Sequence, residues 1–217
     1  MNYFKKKIDN IKIVAFDFDN TLVDERKLLI KKWETTLNNF LFLNKNLKKT
    51  FFKFYQPGNN KKILDKTLSK LKIDKKIKYK ILNKFRKLKI KEFQIPKTHK
   101  LVKLLIINKI KVGIMTNGVK DYQIPRIKQL SFYKHLNFFY FGDKFKKPSK
   151  NFFLQSKEFK SLKDPSNFLY IGNDYKNDIV PAKKLKMVVC LVNNPMIKKP
   201  YNFKSIDNLY NHLKKVL

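Results

Sequence analysis

Cysteine is scarce in this sequence and long apolar segments are missing, and each shortage excludes a class of protein. The 217 residues include 1 cysteine, so no disulfide can form within the monomer and a disulfide-stapled scaffold is excluded. The single thiol, Cys190, lies in an apolar segment, which predicts a buried core residue. The N-terminal segment is basic and has no long apolar stretch. We therefore expect neither a signal peptide nor a membrane span, and a cytoplasmic location.

Acidic residues and arginines are also scarce, whereas lysine is abundant. The chain has 51 Lys and Arg against 16 Asp and Glu, a formal net charge of +35 and a pI near 10.1. Such a charge is typical of nucleic-acid-binding proteins. However, only 3 of the basic residues are arginines, the residue that makes bidentate contacts with bases and phosphates. We therefore expect a solvated basic surface that attracts small anionic substrates, with no specific nucleic-acid partner.

An aspartate pair follows the first apolar run of the chain. The run Ile11–Phe16 contains β-branched and aromatic residues and leads into Asp17-Phe18-Asp19, which predicts a buried strand with both carboxylates at its carboxyl end. Open α/β sheets bind ligands at that edge. Two like charges placed there need a compensating cation. For an isolated Asp-x-Asp motif, an aspartate-rich turn is the simpler interpretation.

Three later strand-like runs end in residues that could complete such a site. Taken alone, each motif has a simpler interpretation: a turn, one lysine among many, or a helix start whose acids offset the helix dipole. Because strand and helix patterns alternate along the chain, we predict an α/β fold with a doubly wound parallel sheet that brings all the motifs to one edge. The residues concerned are Thr116, Asn117 and Gly118, then Lys147 before Pro148, then Asn173, Asp174 and Asp178.

The four motifs in this order resemble those of the haloacid dehalogenase (HAD) superfamily of phosphohydrolases, over nearly the whole chain. The resemblance implies that Asp17 is a nucleophile that forms an aspartyl-phosphate, and that Asp19 is the general acid and base. It also implies that Lys147 supplies fixed positive charge at the transition state. Phosphate binding would fall to the second motif, which is Thr116, Asn117 and Gly118.

The same resemblance implies a magnesium ion as cofactor, since Mg²⁺ prefers oxygen ligands. Its ligands would be the Asp17 carboxylate, the main-chain carbonyl of Asp19 and one acid of the last motif. Many relatives place that acid directly after the glycine, where this chain has Asn173. We predict that Asp174 is the direct ligand because it carries charge, and that Asp178 binds through water or orients Lys147 from behind.

The segment between the first two motifs has a different pattern. Apolar residues recur at helical spacing through residues 25–91, and Pro57-Gly58-Asn59-Asn60 interrupts them as a turn. By resemblance this segment is the helical cap of the superfamily, inserted into a catalytic core made of residues 1–24 and 92–217. A cap that closes over the substrate would exclude water from the reaction. We expect the aromatic residues Phe51, Phe52, Phe54 and Tyr55 to form the core of the cap.

Together these observations predict a magnesium-dependent phosphomonoesterase that acts on a small soluble phosphate ester. The second motif with Gln123 and Arg126 behind it looks similar to capped members that hydrolyse nucleotide or sugar phosphates. A sugar phosphomutase of the same fold is an alternative, and it would need a further acid and base from the cap. A basic nucleic-acid-binding protein that has lost catalysis is the alternative from another class. The sequence fixes neither the leaving group nor the oligomeric state.

Overall fold

The computed structural model describes residues 8–37, 44–55 and 63–217. The chain forms two compact units, one made of Met1–Asp24 with Gln94–Leu217, the other of Glu25–Phe93. We predicted divisions after residues 24 and 91, so the first division falls at the same place and the second lies two residues further on. None of the described helices is long and apolar enough to cross a membrane.

Within the described residues, strands and helices alternate through the larger unit, and the four helices of the smaller unit follow its first strand. In chain order the elements are β1 (Ile13–Phe16), α1 (Glu25–Leu37), α2 (Asn44–Phe54), α3 (Ile63–Lys70), α4 (Lys75–Lys87), α5 (Thr98–Ile107), β2 (Lys111–Met115), α6 (Lys120–Ile127), β3 (Phe138–Tyr140), α7 (Lys150–Leu154), α8 (Lys157–Lys160), β4 (Phe168–Gly172), α9 (Val180–Lys184), β5 (Val188–Val192), β6 (Asn202–Phe203) and α10 (Ile206–Leu213). A single π-helical turn, Tyr175–Ile179, joins β4 to α9.

The strands of the described chain form one parallel sheet in the order β3-β2-β1-β4-β5-β6. This confirms the predicted parallel α/β fold. Every residue of β1, β4 and β5 is buried, and burial on both faces explains why these strands read as continuous apolar runs. Cys190, in β5, is fully buried as expected, and burial raises the pKa of its thiol well above the usual range.

The register of the central strands determines which residues meet at the carboxyl edge, where β1, β2 and β4 end. Phe16, the last residue of β1, pairs with Ile114 in β2 and with Ile171 in β4. The chain therefore leaves β1 at Asp17 between the ends of both neighbours. One residue of slip would turn Asp17 to the opposite face of the sheet.

The smaller unit has its own aromatic core. The Trp33 ring lies 5.0 Å from the Phe51 ring and 4.7 Å from the Phe85 ring, measured between centroids. Phe51 is 1% exposed, as expected of a core residue, but Phe54 is 37% exposed and does not share that role. The predicted turn at residues 57–60 lies outside the described residues.

Candidate active site

Asp17 lies at the carboxyl edge, held by the sheet. Its backbone N–H donates to the Ile171 carbonyl oxygen over 2.8 Å, which continues the ladder with β4 by one residue. Its side chain is 10% exposed and that of Asp19 is 26% exposed. One carboxylate of the pair is thus almost enclosed, whereas the other, which contacts Gln123 and Arg126 of α6, remains open to a ligand.

Lys147 is the centre of a buried cluster of charges. Its Nζ donates to Asp17 Oδ1 and to Asp178 Oδ1, each over 2.6 Å, and to the Tyr170 hydroxyl over 3.1 Å. An ammonium group has three protons to donate, so these partners use all of them. The structure therefore places Lys147, which we predicted as a source of fixed positive charge, in contact with Asp17. It adds Tyr170, a residue in the middle of an apolar strand that gives no sequence signal of a role here.

The electrostatics of this cluster are dominated by burial. Burial raises the pKa of Asp17 to about 7, helped by the nearby charges of Asp178 and Asp19 and opposed by Lys147. Burial also lowers the pKa of Lys147, but attraction to Asp17 and Asp178 outweighs it and leaves that pKa well above its usual range. Lys147 is thus a permanent cation. Its charge alone does not keep the Asp17 carboxyl in its usual acidic range, so the site favours additional positive charge.

Asn117 connects the second motif to the segment that carries Lys147. Its side-chain oxygen accepts from the Lys147 backbone N–H over 2.6 Å, and its Nδ2 donates to the Lys147 carbonyl oxygen over 3.2 Å. Gly142 makes this approach possible, because a Cβ there would lie 2.2 Å from the Asn117 carbonyl oxygen. The Asn117 side chain thus positions Lys147, whereas we predicted Asn117 as part of the phosphate-binding motif.

Asp178 holds the Lys147 side chain in position. Its Oδ1 accepts from Lys147, while its Oδ2 accepts from the Asp174 backbone N–H over 2.9 Å. Gly172 leaves room for this carboxylate, since a Cβ at that position would lie 2.4 Å from Asp178 Oδ2. Of the two roles predicted for Asp178, this geometry supports the orientation of Lys147.

The Asp174 carboxylate faces its own turn. Its Oδ1 accepts from the backbone N–H groups of Lys176 and Asn177 over 2.9 and 3.0 Å, and its Oδ2 accepts from Asn177 Nδ2 over 2.7 Å. Asp174 is therefore the N-cap of the π-helical turn. These bonds argue against the prediction that Asp174 is the direct metal ligand, because they tie its carboxylate to residues of its own turn.

Asn173 faces the site instead. The Thr21 hydroxyl lies 3.3 Å from Asp17 Oδ2 and 3.4 Å from Asn173 Oδ1. One hydroxyl proton cannot serve two acceptors at once, so the three oxygens form a cluster with spare lone pairs. Asn194 fixes the loop by donating from Nδ2 to the Asn173 carbonyl oxygen over 3.0 Å.

This oxygen cluster fits a hard cation such as Mg²⁺. Within residues 8–37, 44–55 and 63–217, no three His, Cys, Asp or Glu side chains are grouped to hold a metal ion. A magnesium ion at the carboxyl edge would therefore depend on neutral oxygens beside the Asp17 carboxylate. The Asn173 side-chain oxygen and the main-chain carbonyl of Asp19 are the candidates.

Comparison with known proteins agrees with this geometry. The family model described as haloacid dehalogenase-like hydrolase matches residues 14–192, which include all four motifs. The chain belongs to this family. It is thus a HAD-like hydrolase, as the order of motifs predicted. The comparison with curated proteins finds no match.

Solved structures show the same fold at low sequence identity. A candidate β-phosphoglucomutase from Thermotoga maritima has a TM-score of 0.74 and 16% identity, with 95% of this chain and 100% of that chain covered. A candidate HAD hydrolase from Bacillus subtilis, bound to magnesium, has a TM-score of 0.69 and 16% identity, with 94% of this chain and 99% of that chain covered. A phosphoglycolate phosphatase, assigned by prediction, from Haemophilus somnus 129PT has a TM-score of 0.70 and 17% identity, with 96% of this chain and 99% of that chain covered. These structures share the fold, and the fold hosts more than one reaction.

Proposed function

We propose that this HAD-like hydrolase is a magnesium-dependent phosphomonoesterase whose substrate is a small phosphate ester of the nucleotide or sugar phosphate class. The main support is the pair of carboxylates at the carboxyl edge, which differ in environment. Asp17 is enclosed and tied to the Lys147 cation, whereas Asp19 is more exposed and belongs to a separate set of hydrogen bonds. Two carboxylates in unlike surroundings suit the separate roles of nucleophile and acid.

In the proposed reaction, an oxygen of Asp17 attacks phosphorus while the bond from phosphorus to the ester oxygen breaks. Asp19 gives its proton to the departing ester oxygen, which leaves as an alcohol. Asp19 then takes a proton from water as the water oxygen bonds to phosphorus and the bond to Asp17 breaks. Inorganic phosphate leaves and both side chains return to their first state. Lys147 holds positive charge beside the transferring group throughout.

The proposed magnesium ion would be held by Asp17, Asn173 and the main-chain carbonyl of Asp19. Bound there, it would offset the repulsion between the anionic nucleophile and the anionic phosphate. The raised pKa of Asp17 and the spare lone pairs around Thr21 both favour such a cation. The magnesium-bound relative from Bacillus subtilis supports the choice of metal by analogy.

A phosphate-release screen tests the proposed activity. The purified chain with Mg²⁺ would be offered nucleotides, sugar phosphates, phosphoglycolate and pyridoxal phosphate. We expect release from at least one of these classes and loss of release in the presence of a chelator. Isomerisation of a sugar phosphate without phosphate release would favour the mutase alternative. No turnover of any ester would contradict the proposal.

Asp19→Asn should impair the reaction in a way that depends on the leaving group. An amide cannot protonate the departing oxygen, so we expect kcat/KM to fall roughly 10²–10⁴-fold for an alkyl phosphate. The loss should be much smaller for p-nitrophenyl phosphate, whose leaving group needs no proton. Steady-state kinetics of both esters measure the difference, with Asp9→Asn, an exposed position, as the matched control. An equal loss for both esters would argue against Asp19 as the acid.

Substitutions in the last motif test which residue faces the metal. Asn173→Ala should weaken Mg²⁺ binding by about tenfold or more, because it removes an oxygen ligand. Asn173→Asp should strengthen it, since a carboxylate adds charge to the ligand set. Titration calorimetry with Mg²⁺ alone measures both effects without turnover.

Asp174→Asn is the control for this ranking, because an asparagine still offers an oxygen to cap the turn. It should leave the affinity for Mg²⁺ close to that of the wild type. If Asp174→Asn abolished Mg²⁺ binding while Asn173→Ala did not, the assignment from sequence would be restored.

A further inference from the structure

The Asp19 carboxylate is held by two side chains of α6. Arg126 Nη2 donates to Asp19 Oδ1 over 2.7 Å, and Gln123 Nε2 donates to Asp19 Oδ2 over 3.0 Å. Residues three apart in a helix lie on one face. Gln123 is 1% exposed and Arg126 8% exposed. The carboxylate is therefore fixed from the protein side while its side chain stays partly open to a ligand.

Arg126 also fixes the orientation of the Gln123 amide. Arg126 Nη1 donates to Gln123 Oε1 over 2.9 Å, which turns the amide NH₂ toward the carboxyl edge. From there Gln123 Nε2 donates to Thr116 Oγ1 over 3.1 Å, in addition to its bond to Asp19. One amide thus links the proposed acid to the threonine of the phosphate-binding motif.

This link leaves the Thr116 hydroxyl with a proton to donate. Thr116 Oγ1 accepts from Gln123 Nε2 and from the Gly118 backbone N–H, the latter over 3.3 Å. A hydroxyl has two acceptor lone pairs and one proton. With both lone pairs used, the proton remains for an acceptor such as a phosphoryl oxygen.

The surroundings hold this pair of side chains in place. A Cβ at Gly118 would lie 2.2 Å from Gln123 Nε2, so only glycine leaves room for the amide. The Arg126 guanidinium lies 4.9 Å from the centroid of the Phe18 ring and 5.2 Å from that of Tyr122. Aromatic rings at these distances attract a cation and limit its movement.

We propose that Gln123 and Arg126 are positioning residues, which hold the Asp19 carboxylate and the Thr116 hydroxyl in one rigid arrangement for phosphoryl transfer. This inference rests on the proposed phosphomonoesterase function. Arg126 acts through its bonds to Asp19 and Gln123. Neither Arg126 nor Gln123 exchanges a proton or forms a bond with the phosphate. The acid and the phosphate-binding hydroxyl are thereby set at a fixed separation.

The test compares Arg126→Gln with wild type on p-nitrophenyl phosphate and on an alkyl phosphate that the screen shows to be hydrolysed. Because a misplaced acid matters only when the leaving group needs a proton, kcat/KM should fall roughly 10–100-fold for the alkyl ester. For the aryl ester it should change less than about threefold. Arg126→Lys should recover part of the loss, since lysine retains one charged donor.

A double-mutant cycle separates positioning from general damage. In the Asp19→Asn background, Arg126→Gln should cause no further loss on the alkyl ester, because residues that act as one unit are not additive. Lys128→Gln, which removes an exposed charge just beyond α6, should match the wild type. An Arg126→Gln loss that is equal for both esters, or that persists in the Asp19→Asn background, would overturn the inference while leaving the proposed function intact.

Gln123→Ala tests the second link with inorganic phosphate as the probe. Loss of the amide frees a Thr116 lone pair and relaxes the hydroxyl, so the inhibition constant of phosphate should rise roughly 3–10-fold. Arg126→Gln keeps the Gln123 amide and should raise the inhibition constant of phosphate less than Gln123→Ala does. A phosphate inhibition constant unchanged in Gln123→Ala would contradict the link. An inactive wild type would overturn the proposed function and this inference with it.

Discussion

Asp17→Asn is expected to abolish phosphate release. An amide cannot attack phosphorus to form the covalent intermediate, so turnover should fall by a factor of at least about 10³. The loss should be equal for alkyl and aryl phosphates, unlike that of Asp19→Asn, because the nucleophile is needed whatever the leaving group. A continuous phosphate-release assay with Mg²⁺ measures it.

The fold should survive this substitution. Asparagine has the same shape as aspartate, and Lys147 keeps its bond to Asp178. Circular dichroism and thermal unfolding should therefore resemble those of the wild type, and Asp9→Asn provides the matched change at an exposed site. Turnover close to that of the wild type would refute Asp17 as the nucleophile.

Lys147→Met should cost both activity and stability. The Lys147 side chain is 3% exposed and its carboxylate partners Asp17 and Asp178 are 10% and 1% exposed. Among the described residues, Lys147 is the cation bonded to both. Its removal leaves two buried carboxylates without a compensating positive charge, which costs about 3–5 kcal/mol of unfolding free energy. Chemical denaturation measures this loss. Phosphate release should fall with it, since the fixed charge beside Asp17 is gone.

The pH dependence of this loss has a definite sign. Burial raises the pKa of Asp17 to about 7, and the loss of Lys147 would raise it further. A carboxyl group with a raised pKa binds more protons in the folded state, so protonation favours folding as the pH falls. The deficit of Lys147→Met relative to wild type should therefore shrink between about pH 8 and about pH 5.

Two variants control for this prediction. Lys146→Met makes the same change one residue earlier, at an exposed position, and should alter stability by less than about 0.5 kcal/mol. Adding Asp178→Asn to Lys147→Met removes one of the stranded charges and should restore part of the stability. Equal losses in Lys146→Met and Lys147→Met would show that the buried cluster does not stabilise the protein.

The sequence by itself determined the fold and the place of the site. The apolar runs that became β1, β2 and β4 are short and typical of buried strands, and alternation with helices favours a parallel sheet. Because parallel strands end at the same edge, the residues after β1, β2 and β4 had to meet. Asp17 and Thr116 follow their strands directly, so their approach could be predicted from order alone.

Only the tertiary structure decided which side chains within each motif face the site. Only the Lys-Pro context and the family resemblance distinguished Lys147 from Lys146 in the sequence, and burial against Asp17 and Asp178 gives the physical reason for the difference. Asp174 carries the charge that predicted a metal ligand, but the turn after β4 uses its carboxylate as a cap and presents Asn173 instead.

The contacts made by Gln123 and Arg126 also depended on the fold. Both residues could be placed in a helix after the second motif, but their bonds to Asp19 join positions 104 and 107 residues apart in the chain. Local patterns report the period of a helix or strand. The direction of a side chain at a strand end is set by the turn that follows and by neighbours distant in sequence, and no local pattern contains that information.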